Sequence, residues 1–275
     1  MRCAWKELLG VLPAWIAAQA DRTGRDGLRE LRLRLEKPPE LVMDTESVWM
    51  ERRVSREDLH FCVNTASRYS PWAAQTISEG FLTAAGGHRI GICGEAVVKN
   101  GTVSGIREIS SLCIRVARDF PGIGERAVKL SGSIMLLGPP GSGKTTLLRD
   151  IARGISRREH VAVVDERGEL FPPGFDTGQR LDVLRGCAKA QGVDMMLRTM
   201  GPAVIAVDEI TAEADCEALI RAGWCGVRLL ATAHAASVKD LHCRPIYRSL
   251  VSAELFNHIL VLSRDKSWRV ERMDL

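Results

Sequence analysis

IMLLGPPGSGKTTLLRDI, residues 134–151, joins three local signals in one line. Ile134, Met135, Leu136 and Leu137 form an apolar run of the length of a buried parallel strand, and Leu147, Leu148 and Ile151 recur at helical spacing. Between them stands Gly138-Pro139-Pro140-Gly141-Ser142-Gly143-Lys144-Thr145, the GxxxxGK(S/T) pattern with the strand before it and the helix after it that the motif requires. Phosphate chemistry explains the residue types. Gly141 and Gly143 let N–H groups turn inward as an anion nest, and the start of the next helix adds its positive dipole end. Lys144 is placed to reach the β- and γ-phosphates, Thr145 to offer its hydroxyl to Mg²⁺, and Thr146 completes the loop. The stretch predicts a nucleoside triphosphate site with ATP and Mg²⁺ as its cofactors.

Downstream, the strand-then-polar pattern repeats. Val161–Val164 ends in Asp165-Glu166, with Glu169 following; Ala203–Val207 ends in Asp208-Glu209; Val227–Ala231 ends in Thr232-Ala233-His234. Helical patterns separate these runs, one read over Val183–Met200 and one over Glu213–Ala222, and Phe171–Thr177 is a Pro/Gly-rich loop. Strands alternating with helices describe a doubly wound parallel sheet, which binds ligands at the carboxyl ends of its strands. VIAVDE, residues 204–209, is a Walker B pattern in which Asp208 would support the metal and Glu209 would orient the attacking water. Glu166 fits the metal–water network and the rim of the site equally well. His234 is a candidate γ-phosphate sensor, weighed against an ordinary loop histidine.

Upstream the pattern is mixed. Residues 1–20 read as helix, with Pro13 opening a second piece as its first residue, and Asp21–Gly27 is a polar break. Leu31, Leu33 and Leu35 alternate with Arg32 and Arg34, which is strand periodicity, and Leu41–Met43 with Val48–Met50 suggest a hairpin. Ser55 with Asp58 forms a capping box for a helix carrying Leu59, Val63 and Ala66. Ser78–Gly80 leads into a strand-rich patch that holds GHRIGICGE, and Asn100-Gly101 marks a hairpin turn. Ile106–Arg118 fits strand and helix alike. Pro121–Gly124 is the clear linker, which sets an expected division into an N-terminal α+β domain, 1–125, and a P-loop domain, 126–275.

Composition sets the outer bounds. The 275 residues are 45% hydrophobic and 26% charged, typical of a globular protein with a real core, and the net charge of +4 is a mild basic bias. Eight scattered cysteines show no zinc spacing and read as reduced thiols. No uncharged apolar run approaches the ~18 residues of a membrane span. Leu8–Ala18 is read as an amphipathic helical region rather than a cleaved signal, because Glu7 stands in its basic flank and Pro13 interrupts it.

The order of motifs is similar to that of the type II/IV secretion ATPase superfamily: Walker A at Gly138–Thr145, an acidic box at Asp165–Glu169, Leu197-Arg198 through Pro202 to the Walker B, and a histidine box at Ala231–His234. GHRIGICGE together with VDERGE resembles the branch of that superfamily that acts in endospore formation. The resemblance implies a RecA-like P-loop ATPase domain behind a smaller α+β domain. It further implies a cytoplasmic homo-oligomer, a hexameric ring at the inner face of the membrane, that works on membrane-embedded sporulation or secretion channel proteins. Catalysis would then rest on Glu209, with Glu166 the next candidate base, on His234, and on arginines, for which Arg107 and Arg115 of the first domain are preferred over Arg89 and Arg118 of that domain and over Arg180, Arg185 and Arg198 of the second. The sequence departs from that family's pattern at the acidic box, which reads Asp165-Glu166 rather than Glu-Asp, and at Asp208, where secretion motors carry Gly. Single-stranded nucleic acid is a less favoured partner, because only 5% of residues are aromatic and none interleave with the basic run Arg29, Arg32, Arg34, Arg52, Arg53 and Arg56. A nucleotide switch with little turnover is the third reading.

Overall fold

The computed structural model describes residues 2–24, 26–67, 77, 78 and 80–271. Met1, Arg25 and Glu79, which fall within short segments singled out above, lie outside this set, as do residues 68–76 and 272–275 of the two expected domains. The chain divides into two compact units, one of residues 1–119 with Pro172–Phe175, the other of Phe120–Phe171 with Asp176–Leu275.

In the first unit, α1 (Trp5–Gly10) and α2 (Ala14–Thr23) are joined by a turn in which Pro13 stands as the N-cap of α2, one position earlier than expected. The strands β1 (Glu30–Arg34), β2 (Glu40–Val42), β3 (Ser47–Trp49), β4 (Phe81–Thr83), β5 (Arg89–Lys99) and β6 (Thr102–Arg115) form one antiparallel sheet in the order β3-β2-β1-β6-β5-β4. Pairing with β1 on one side and β5 on the other makes Thr102–Arg115 a strand, which settles the open reading of Ile106–Arg118. Leu31 and Leu33 point inward from β1 and pack with Leu8, Ile16 and Leu59. Leu59 belongs to α3 (Arg56–Ser67), whose start is the expected capping box. Asp58 Oδ2 accepts from the Ser55 N–H at 2.9 Å, and Ser55 Oγ accepts from the Asp58 N–H at 3.2 Å.

The second unit opens with α4 (Glu125–Val128), and its sheet contains β7 (Ile134–Leu137), β8 (Val161–Asp165), β9 (Leu181–Arg185), β10 (Val204–Val207), β11 (Arg228–Ala233), β12 (His258–Leu262) and β13 (Trp268–Glu271). The order is β13-β12-β7-β11-β10-β8-β9, parallel throughout except for the β12–β13 hairpin. The helices α5 (Lys144–Ile155), α6 (Lys189–Met200), α7 (Glu213–Trp224), α8 (Val238–Cys243) and α9 (Arg248–Ser252) cover it. Two cores result, one on each face. Ile134 and Leu136 of β7 join Leu147 and Ile151 of α5, while Met135 and Leu137 join Leu219 of α7 and Met196 of α6. That two-residue alternation is what a strand buried on both faces requires.

The helix expected over Val183–Met200 is a strand followed by a shorter helix. Leu181–Arg185 pairs in parallel with β8, with Leu181 and Val183 against one core and Leu184 against the other. Gly186, at φ +74°, then ends the strand, and α6 begins at Lys189. None of the eight cysteines is in a disulfide. Burial pushes the Cys62 thiol up to about 12 and the Cys216 thiol to about 11, so both are inert packing groups.

Candidate active site

The sheet order decides which strand ends become neighbours. Reading across it from β7, the P-loop is followed by the end of β11, then β10, then β8. Val207 is level with Ala231 on one side and Val164 on the other, so the residues that follow these strands stand in a row. Thr232 and His234, Asp208 and Glu209, and Asp165 and Glu166 are thereby set out in order beside Lys144 and Thr145.

The P-loop turns from β7 into α5 through Gly138, Pro139, Pro140, Gly141, Ser142 and Gly143. Gly141 and Gly143 take φ of +77° and +95°, the left-handed region that side chains disfavour, and a Cβ added at either would meet no neighbouring atom. What excludes a side chain there is backbone conformation rather than crowding. Lys144 Nζ donates to the carbonyls of Gly138 at 2.7 Å and Pro139 at 3.1 Å, which curls the ammonium back over its own loop. Burial lowers the Lys144 pKa, and the charges of Asp208 and Glu209 oppose that shift. Ser142 Oγ is buried and has no hydrogen-bond partner among the described residues. A loop with two left-handed glycines, an orphaned buried hydroxyl and a buried ammonium at the head of the next helix fits a polyanion such as a triphosphate. Thr146 follows Thr145 into the first turn of α5.

Two chains of side chains meet at the end of β10. In the first, Thr145 Oγ1 donates to Asp208 Oδ2 at 2.6 Å, and Thr232 Oγ1 donates to Asp208 Oδ1 at 2.6 Å. The same Thr232 oxygen accepts the Glu209 N–H at 2.7 Å, which fixes Glu209 at φ +51°, a sparsely populated conformation for a residue with a Cβ. In the second chain, Lys144 Nζ lies 3.3 Å from His234 Nδ1, and His234 Nε2 lies 3.0 Å from Glu209 Oε1. The imidazole thus bridges the ammonium and the carboxylate. Thr145 Oγ1 and Asp208 are hard oxygen donors, and that pair suits Mg²⁺, whose remaining positions are ordinarily filled by phosphate and water oxygens.

Asp165 and Glu166 are engaged otherwise. Asp165 accepts the N–H groups of Glu169, Leu170 and Phe171 at 2.8, 3.0 and 3.0 Å and so closes its own turn. Burial pushes its carboxyl up, and the Phe171 and Leu170 N–H groups oppose that. Glu166 pairs with Lys189, a buried ammonium at the start of α6. Arg167, next along, lies 3.6 Å from Glu209 Oε2.

The structure therefore brings together Lys144, Thr145, Asp208, Glu209 and His234. Arg107 and Arg115 lie in the first unit, where Arg107 pairs with Glu95 at 3.1 Å and Arg115 faces Glu30 at 3.7 Å, so the strand-end cluster is built without them. Arg89 stacks over Phe81 at 4.0 Å, while Arg118, Arg180, Arg185 and Arg198 donate to backbone carbonyls. Three participants were not given roles from sequence: Thr232, Lys189 and Arg167. Thr232 carried the one available signal, a polar residue at the end of an otherwise apolar strand.

Comparison with known proteins agrees with this architecture. Among solved structures, the pilus retraction motor PilT with bound ADP superposes with a TM-score of 0.61 at 16% identity, over 90% of this chain and 76% of that one. The Legionella pneumophila ATPase DotB superposes with a TM-score of 0.58 at 17% identity, over 95% and 80%. At such identities these likenesses establish the fold, a RecA-like P-loop ATPase domain with a smaller α+β domain before it. Stage III sporulation protein AA of Bacillus subtilis (strain 168) is 37% identical over 256 residues, 87% of this chain and 83% of the relative. The family model for sporulation stage III, protein AA, matches residues 11–271. The chain belongs to that sporulation family, whose fold is that of the secretion ATPases.

Proposed function

We propose that this protein is a Mg²⁺-dependent ATP hydrolase that works as a ring-shaped motor on a membrane channel between mother cell and forespore. The observation that carries the reading is the convergence at β10 of the chain Lys144–His234–Glu209 with the chain Thr145–Asp208–Thr232. Lys144 and the loop N–H groups would hold the β- and γ-phosphates, and Thr145 with Asp208 would hold Mg²⁺. The metal would supply charge neutralisation at the phosphates. Glu209 would accept the proton of the attacking water through its carboxylate, since Glu166 is already paired with Lys189. His234, touching both Lys144 and Glu209, would carry the presence of the γ-phosphate from one to the other.

The ring and the channel rest on family likeness, as do Arg107 and Arg115 acting at a neighbouring subunit's site, while the division at residue 125 rests on the Pro121–Gly124 linker. Attachment would be peripheral at the inner face of the membrane; among the described residues no helix is long and apolar enough to cross it. Nucleic acid is less well supported as a partner. Arg29, Arg32, Arg34 and Arg56 face Asp44, Glu30, Glu40 and Glu108. Arg53 donates to the Glu36 carbonyl, and Arg52 stacks over Trp15. The basic run is therefore largely neutralised in place.

Steady-state ATP turnover tests the reading, with the Lys144→Ala variant as control. Wild-type turnover that Lys144→Ala abolishes is the expected result; hydrolysis at the wild-type rate in that variant would remove the assignment. Light scattering with ATP and without it should show an ATP-dependent ring, and a monomer in both conditions would refute the motor.

A further inference from the structure

We propose that Arg167 is a positioning residue for Glu209, holding its carboxylate in the plane needed to receive the proton of the attacking water. This rests on the proposed hydrolytic reading and goes beyond it, because it adds a residue from the acidic box to the working part of the site.

The turn that carries Arg167 is fixed from several directions. Gly168 N–H donates to the Asp165 carbonyl at 3.2 Å, and Asp165 holds the next three N–H groups. From α5, Arg149 donates to the carbonyls of Glu169, at 2.8 Å, and Leu170. Lys189 anchors Glu166 immediately before it. A residue at the tip of such a turn is aimed by the backbone rather than by its own packing. Arg167 is in fact mostly exposed, at 58%, and lines a cleft with Glu166, Lys189, Asp208, Glu209 and Thr211.

Exposure argues against a structural duty, since an exposed ion pair is worth about 0–1 kcal/mol to the fold. Position argues for a chemical one. Glu209 lines the cleft, with its backbone pinned through Thr232 and its Oε1 held by His234 at 3.0 Å, so Oε2 is the oxygen that His234 does not hold. Arg167 stands 3.6 Å from that oxygen, close enough to orient it electrostatically yet beyond hydrogen-bond length. Oε2 therefore keeps its lone pairs for a water. The guanidinium suits this duty because it stays charged at every working pH and so never competes for the proton.

The test compares Arg167→Ala and Arg167→Lys with wild type in steady-state ATP turnover, together with affinity for a fluorescent ATP analogue. Arg167→Ala should lower kcat by about ten- to 100-fold, up to the scale of a misplaced catalytic group, with KM and analogue affinity within about two-fold of wild type. Arg167→Lys should recover part of kcat. Methylguanidinium added to Arg167→Ala should restore part of the rate while leaving wild type unchanged, a rescue that a purely structural role would not give. Wild-type kcat in Arg167→Ala, or a rise in KM with unchanged kcat, would overturn the inference while leaving the hydrolytic reading intact. Absence of turnover in wild type would instead overturn the hydrolytic reading, and the inference with it.

Discussion

Strands β8 and β10 lie side by side, run parallel, and end at the same level in the same dipeptide, Asp-Glu. At β8, Asp165 turns back to hold three backbone N–H groups and Glu166 is held by Lys189. At β10, Asp208 is bound by the hydroxyls of Thr145 and Thr232, and Glu209 by the imidazole of His234. The first pair is bound mostly by its own turn, the second mostly by side chains of the P-loop, β11 and the residue that follows β11. The difference comes from what each strand has for a neighbour: β10 has β11 and the P-loop beyond it, whereas β8 has only the edge strand β9 on its far side. Identical acids thus become a structural clasp in one place and part of the proposed reactive cluster in the other.

That contrast separates turnover from stability. Asp208→Ala should lower turnover on the order of 100- to 1,000-fold, as the loss of a preorganised electrostatic group does, while the melting temperature stays close to wild type. Asp165→Ala should act the other way. It strands two buried N–H groups and one part-buried one, and should cost about 3 kcal/mol of stability, read by denaturant unfolding. If Asp165→Ala unfolds like wild type, the clasp is not one. Thr232→Val removes the link between Asp208 and the Glu209 backbone. Its expected cost is about 1–2 kcal/mol with a fall in kcat at unchanged nucleotide affinity, and equal loss of affinity would place Thr232 in binding instead. Glu166→Gln should be the mildest, at about 1 kcal/mol of stability or less, because half of its pair with Lys189 is open to solvent.

Much of this is legible in the sequence. The P-loop, the Walker B strand and His234 are short-range patterns, in which a few adjacent residues carry both the local structure and the chemistry. The capping box at Ser55 and Asp58 is equally local. What stayed hidden depends on distant pairing. Leu181–Arg185 has only two leucines and a valine around exposed Asp182 and Arg185, so its strand character comes from β8 beside it, and its second half, from Val183, reads as the start of the helix that follows. His258–Leu262, the strand beside β7, is a short apolar run with no motif at its end, and pairing with β7 is what makes it a strand. The order β7-β11-β10-β8 cannot be read from the chain, and it is this order that puts His234 between Lys144 and Glu209 and gives the two Asp-Glu pairs different duties. Arg167 was hidden for the same reason, since nothing local ties an acidic-box arginine to the end of β10.

Single-turnover hydrolysis of bound ATP in Glu209→Gln and Glu166→Gln, measured side by side, bears most directly on the claim that β10 and not β8 carries the chemistry. Glu209→Gln should retain ATP unhydrolysed, at a rate reduced on the order of 100-fold or more, while Glu166→Gln stays within about three-fold of wild type. The reverse pattern, with Glu209→Gln turning over normally and Glu166→Gln trapped with ATP, would contradict it.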